Sequence, residues 1–441
     1  MQFDLKARYL PALSGAIETT GFERRCKYTG KPLTFWQPES LVHYPYMLMS
    51  AWYGLKVGLG SEWRDSRDTK DVFVLGDSGG FQAVTQGEKL DSEKFNARKV
   101  IDWQNENVNV GLILDVPPFK AQIREQKGIA KESNLAVDNR TKAQIAAFGI
   151  EADFELCMNK TAENAKIMRN RQEKCLLYGV IQGTTQSKME AWHKAVSKAG
   201  DFEGWALAPK PNDDYDLIYL MMKYAYNKLQ TPLHFLQLGG PRASVMIERF
   251  SKVYDHNMTY DNSTPFKLGG VFRIFQTARD GQNISIGRQT LFKVGRKLLD
   301  PGTNEHRFVN DSVTETRRTD PLAAASWRWI DGDKPFATFG NEQLVFPPHM
   351  DKITRKIIND CECEVCQAVT VDDYQANDVE GALYLILHDL HAYAEEQKRS
   401  KAMAFKDDEI LTQFGHEFLS RLQSIDDGFP DTRGQRKWKT Q

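Results

Sequence analysis

Val72-Phe73-Val74-Leu75-Gly76-Asp77-Ser78-Gly79-Gly80-Phe81-Gln82 decides how the rest of the chain is read. Val72 to Leu75 are apolar and mostly β-branched or aromatic, which predicts a short buried strand. The two glycines after Ser78 permit backbone that other residues would strain, so Asp77 stands at the strand's carboxyl end on a turn. In an α/β barrel the carboxyl ends of the strands face the active site, which makes this carboxylate a candidate for chemistry. The plainer role open to Asp77 is to cap a following helix or close an Asx-turn.

The pattern recurs outward from that stretch. Val110 to Leu114 is a second apolar run ending in Asp115, with Pro117-Pro118 stopping further pairing. Leu176 to Ile181 ends in Gln182-Gly183, and Gly204 to Ala208 follows. Leu233 to Leu236 ends in Gln237, and Asn257 to Tyr260 leads to Asp261. Polar stretches with helical spacing separate these runs, among them Ser92 to Asn105, Cys157 to Arg169 and Arg242 to Tyr254. Strand and helix alternating over some 200 residues predict parallel β/α units. Asp77, Asp115, Gln182, Gln237 and Asp261 recur at the same strand end, which favours a (β/α)8 TIM-type barrel. A Rossmann sheet is the runner-up, but no G-x-G-x-x-G turn follows these strands in the required place.

With 441 residues, the chain has room for one barrel of roughly 250 residues and substantial additions. We divide it into a barrel core over 1–266, an insertion with remaining barrel segments over 267–350, and a zinc-binding subdomain with C-terminal helices over 351–441. Forty-one per cent hydrophobic and 27% charged residues suit an ordinary globular protein. No run of about 18 apolar residues and no signal pattern occur, so no membrane partner and a cytoplasmic location are expected, bacterial or in the host of a phage. A net charge of −1 leaves nucleic-acid binding to local patches. Residues 267–356 carry fifteen Lys/Arg against ten Asp/Glu, with Arg273, Arg288, Arg296, Arg317, Arg318 and Trp327-Arg328-Trp329. Arginine beside tryptophan suits stacking on unpaired bases while pairing phosphates, although a charge run also serves as a solvated face.

Three of the six cysteines lie in Cys361-Glu362-Cys363-Glu364-Val365-Cys366. Such clustering points to metal rather than disulfides. Soft thiolates with one imidazole give Zn2+ a closed tetrahedral structural site. His388 and His391, on a long helix predicted over Val379 to Lys398, stand one turn apart and both offer a fourth ligand. Cys26, Cys157 and Cys175 read as reduced packing residues.

Two families share the string at residues 76–80. Trypsin-like serine proteases carry a similar one, but that enzyme needs a His and an Asp brought to its serine. Only His43 precedes Ser78, and the strand-only pattern of that fold is missing. Residues 77–82 match without a gap the Asp-Ser-Gly-Gly-Phe/Tyr-Gln signature of the tRNA-guanine transglycosylase superfamily. The Cys-x-Cys-x-x-Cys run followed by His388-Asp389-Leu390 resembles that family's zinc site, in which a His-Asn-Leu string supplies the fourth ligand. By that context His388 is the ligand and His391 the fallback. Gln182-Gly183 resembles the family's Gln-Gly at the fourth strand, and Asp115 falls at its base-reading aspartate. Asp261 falls where the family has Phe-Asp-Cys-Val-Leu-Pro-Thr-Arg, whose aspartate is the nucleophile. The matches extend over about residues 70–265 and 355–395.

That resemblance implies a pentosyltransferase that exchanges a base through a covalent glycosyl-aspartate. Asp261 would be nucleophile and Asp77 general acid and base, while Asp115, Gln182, Ser78, Gln237 and a stacking Phe81 would bind the purine. The departures concern the surroundings: Ala208-Pro209-Lys210 replaces a Gly-Gly-Leu string, Leu236-Gln237 replaces Met-Gly, and Asn262-Ser263-Thr264-Pro265 follows the nucleophile. Between Asp261 and Cys361 lie 99 residues, more than the family's usual spacing. Purine chemistry kept while the anticodon-loop grip is rebuilt is similar to the branch that inserts 7-deazaguanine bases into DNA. The expected partners are DNA, with tRNA as the alternative, and a free preQ0-like base, with a homodimer or helper proteins possible. A non-catalytic zinc-containing binding subunit is the remaining reading, and the retention of both Asp77 and Asp261 argues against it.

Overall fold

A computed structural model describes residues 3–13, 24–57, 71–85, 91–118, 154–208, 215–269, 361–370, 373 and 379–430, and the backbone of six strands between 275 and 345. Eight parallel strands form one sheet: β1 (Arg8–Pro11), β2 (Tyr46–Ser50), β3 (Phe73–Asp77), β4 (Val110–Leu112), β5 (Leu176–Ile181), β6 (Gly204–Leu207), β7 (Leu233–Phe235) and β8 (Met258–Asn262). Strands β2 to β8 pair in sequence order and β1 pairs with β8, Leu10 opposite Asp261. The ring closes where Ala12 bridges Leu48 and the Leu13 N–H donates to the Leu48 carbonyl at 2.9 Å. Helices α1 (Ala51–Val57), α2 (Gly80–Thr85), α3 (Ala97–Asn107), α4 (Phe154–Arg169), α5 (Gln186–Val196), α6 (Tyr215–Lys228), α7 (Pro241–Val253) and α8 (Thr264–Gly269) lie between or after them. This is a (β/α)8 barrel of the TIM type.

The residues that wall the barrel also aim its mouth. Gly76 and Gly111 face each other in register, and a Cβ on either would press on α3, at Val108 or Gln104. The missing side chains let the Gln104 amide reach between the strands, where it donates to the Gly76 and Leu112 carbonyls at 3.0 Å each. Helix α3 itself starts on Asn96, whose side chain accepts from the Arg98 and Lys99 N–H groups.

Beyond Ile113, whose N–H still donates to the Tyr178 carbonyl at 3.1 Å, the chain leaves the ladder and its backbone groups need other partners. Helix α4 supplies them. Thr161 accepts from the Val116 N–H at 2.9 Å, and the Asn164 amide donates to the Leu114 carbonyl at 3.0 Å. Asp115 is thereby held on an irregular segment with little freedom.

All eight barrel strands precede residue 263, and the strands between 275 and 345 form two separate antiparallel sheets. The expected remaining barrel segments within 267–350 therefore do not appear among the described strands, because β1 and β8 already pair and leave no open edge. The side chains of the basic stretch over 267–356 lie outside the described residues.

The C-terminal part consists of α9 (Glu364–Ala368), α10 (Val379–Met403), α11 (Asp407–Phe414) and α12 (His416–Asp426). Helix α10 buries Leu383, Leu387 and Leu390 and packs against α7, α8 and β1, taking the place of the eighth barrel helix. Its Tyr393 hydroxyl accepts from the Gly240 N–H at 3.0 Å and meets the Asn262 amide. Buried Arg249 on α7 clamps the last helices through Asp426, Asp407 and the Ala404 carbonyl.

Candidate active site and metal centre

Asp77, Asp115, Gln182 and Asp261 meet at the carboxyl end of the barrel, which the sequence alone places on four separate strands. The turn after β3 depends on its glycines. Gly79 has φ +80°, and a Cβ there would lie 2.4 Å from Trp52 Cβ. At Gly80 a Cβ would lie 2.2 Å from the Asp115 carbonyl oxygen. The turn therefore requires glycine twice, at Gly79 for its left-handed backbone against Trp52 and at Gly80 for the close approach of the segment after β4.

Asp77 does close an Asx-type turn, its Oδ2 accepting from the Gly79 N–H at 3.3 Å. The carboxyl has a second property that a cap does not need. Burial among low-dielectric walls, then the charges of Asp115 and Asp261, push its pKa up to about 7, against the pull of the Gly79 and Ser78 N–H groups. The charges of Asp115 and Asp261 thus both reach Asp77. Near neutral pH Asp77 can both give and take a proton, as a general acid–base group requires.

Asp115 is buried and braced on both oxygens. Ser78 Oγ donates to Oδ1 at 3.3 Å and Gln182 Nε2 donates to Oδ2 at 2.7 Å. Hydroxyl, amide and carboxylate thus stand side by side on one wall and offer both donating and accepting groups. Phe81 is half-buried on the first turn of α2 and packs against the core.

Asp261, nearly inaccessible, is held by two donors at Oδ1: the Gln237 backbone N–H at 2.8 Å and, across 3.2 Å, His234 Nε2. Gln237 enters as main chain here, not as the side chain that the sequence reading singled out. Its φ of +55° is costly for a residue with a Cβ, roughly 1–2 kcal/mol, and this backbone brings its N–H to the carboxylate. His234 lies inside β7, away from the strand ends that mark the other site residues in the sequence. The signal was present in Leu233-His234-Phe235, where alternation turns a polar residue to the barrel interior.

The cysteine run forms a second centre. Sγ of Cys361, Cys363 and Cys366 and Nδ1 of His388 all lie within 4.8 Å of one another. His388 Nδ1 stands 3.7, 3.4 and 3.2 Å from the three sulfurs in that order. A tetrahedral ion with Zn–S near 2.3 Å and Zn–N near 2.0–2.1 Å requires S···N of about 3.6 Å, so the donors fit such an ion. Cys363 also caps α9, its sulfur accepting from the Cys366 N–H. Helix α10 turns His388, not His391, toward the sulfurs. Cys26, Cys157 and Cys175 are buried and form no disulfide among the described residues. Among the described residues no helix is long and apolar enough to cross a membrane.

No protein-family model and no curated protein matches this sequence.

Proposed function

We propose that the protein is a guanine transglycosylase of the tRNA-guanine transglycosylase superfamily that replaces guanine in DNA with a 7-deazaguanine base. The observation that carries the reading is Asp77, a carboxyl poised near neutrality beside two further carboxylates at a barrel mouth. An electron pair of Asp261 would form a bond to C1′ while the C1′–N9 bond breaks and its pair leaves with the guanine. Asp77 gives that base its proton. The incoming base then yields its N9 proton to Asp77, N9 bonds C1′, and the Asp261 carboxylate is released. Two displacements restore the original configuration, the division of labour seen between the carboxylates of retaining glycosidases.

Asp115, braced by Ser78 and Gln182, would read the purine edge, and Phe81 lies close enough in sequence to the turn to offer a ring face. The target nucleotide must be unpaired or flipped out, since a recessed mouth does not reach a base inside a duplex. Zn2+ is the ion we assign to Cys361, Cys363, Cys366 and His388, where it ties the knuckle to α10 and takes no part in the exchange. DNA is preferred over tRNA on the rebuilt segments after Ala208, Leu236 and Asp261.

The test is exchange of labelled guanine or preQ0 into duplex DNA, single-stranded DNA and tRNA, with a denaturing gel to detect a covalent adduct. Incorporation into DNA, and an adduct that Asp261→Asn abolishes with at least about a 10³-fold loss of exchange, is the expected result. Exchange confined to tRNA overturns the substrate, and no adduct or exchange with any polymer overturns the chemistry.

A further inference from the structure

We infer that His234 is a positioning residue that decides which oxygen of Asp261 attacks, and that it speeds release of the carboxylate more than its attack. The inference rests on the base-exchange reading and goes beyond it. His234 and Thr259 face each other in register on β7 and β8, and Asp261 follows two residues after Thr259. Period two places all three on the inner face of the barrel, where each is buried. His234 Nδ1 lies 2.8 Å from Thr259 Oγ1 and Nε2 lies 3.2 Å from Asp261 Oδ1.

Counting hydrogens fixes the tautomer. An ionised carboxylate only accepts, so Nε2 must carry the hydrogen it shares with Asp261. In a neutral ring Nδ1 is then bare and takes the hydroxyl hydrogen of Thr259. The competing acceptor, the Leu233 carbonyl, is 3.5 Å from that hydroxyl, at the limit of a hydrogen bond. Thr259 therefore holds the ring in its Nε2–H form.

The result is an asymmetric carboxylate. Oδ1 receives the His234 Nε2–H and the Gln237 N–H, while Oδ2 takes no hydrogen bond from any described residue. Oδ2 is the oxygen left to bond C1′. In the glycosyl ester Oδ1 is the carbonyl oxygen, and when the C1′–Oδ2 bond breaks, negative charge returns to the carboxylate and is shared by Oδ1. Two fixed N–H donors favour that return, as an oxyanion hole favours developing charge. In the forward attack the same donors stabilise the starting carboxylate, so they give no matching gain there.

The experiment follows adduct formation on mixing full-length protein with guanine-containing DNA, and adduct resolution on adding free guanine. His234→Leu removes the donor, His234→Gln returns an N–H near the Nε2 position, and Thr259→Val removes the tautomer lock without touching the ring. We expect His234→Leu to slow resolution about 100-fold while formation changes by less than about tenfold, so that adduct accumulates. His234→Gln recovers most of the loss, and Thr259→Val shifts the same partition in the same direction by a smaller factor. Wild-type exchange with an unchanged ratio of formation to resolution in His234→Leu overturns the positioning role alone. If His234→Leu does not fold, an unchanged ratio in Thr259→Val overturns it. Absence of any wild-type adduct brings down the base-exchange reading itself, and this inference with it.

Discussion

The barrel mouth and the cysteine knuckle each gather anionic groups, and they answer the repulsion differently. At the mouth, Asp77 lies near Asp115 and Asp261 and is pushed toward its protonated form. At the knuckle, three sulfurs and an imidazole are spaced for a single cation. A proton exchanges rapidly with a substrate, whereas a tetrahedral ion closed off by four protein ligands does not. The first arrangement suits turnover and the second suits architecture.

Metal removal gives the largest expected effect. Structural zinc binding is folding free energy, on the order of 10 kcal/mol. Chelation, or Cys363→Ser, is expected to melt the C-terminal part, with metal analysis of the untreated protein giving one zinc per chain. Because Tyr393 of the same helix holds Gly240 and Asn262 beside Asp261, adduct formation falls too. A thermal melt indifferent to chelator breaks the comparison.

Gly79→Ala comes next, since it combines left-handed backbone with collision against Trp52. A loss of about 3 kcal/mol in denaturant melts is expected, and a loss below about 1 kcal/mol means that the turn is not built as described.

Asp77→Asn is expected to stabilise the fold by about 2 kcal/mol at pH 8 while destroying exchange. The carboxyl's pKa is about 7 in the folded chain, against about 3.9 when unfolded. Between those values the folded state binds the extra proton, so wild-type stability falls as pH rises from about 4 through 7. The asparagine variant escapes that fall, and its advantage disappears near pH 4. Equal stability of the two proteins at both pH values removes the mouth from the comparison.

His391→Ala gives the smallest effect, within about 1 kcal/mol and with full metal content, whereas His388→Ala loses the metal. Metal loss in the first of these reverses the ligand assignment.

Much of the architecture was legible in the chain. Apolar runs ending in Asp77, Asp115 and Gln182 marked strands whose ends share one rim, because the hydrophobic signal of a buried parallel strand is local and strong. The cysteine spacing marked the cluster that could hold a metal for a similar reason: three of its four donors lie within six residues. The fourth ligand was less clear from spacing, since His388 and His391 both fit one helical face, and only the rotation of α10 against α9 separates them.

His234 and the Gln237 main chain were not read as parts of the site. One is a polar residue inside a strand, where a histidine satisfied within a core gives the same sequence pattern. The other acts through a backbone N–H, which every residue but proline possesses. Nor do the barrel segments expected in 267–350 appear among the described strands, because strand pairing across a closed ring depends on the N-terminal β1, distant from β8 in sequence.

The amino-acid order alone determined which stretches become strands, where glycine must stand after Asp77, and which three thiols gather, since each follows from interactions between near neighbours. Tertiary structure decided the state of the carboxyl at Asp77, the partner of Asp261 and the choice of histidine at the metal centre. Burial, charge and hydrogen bonding act through space between residues far apart in the chain that only the packed fold brings together.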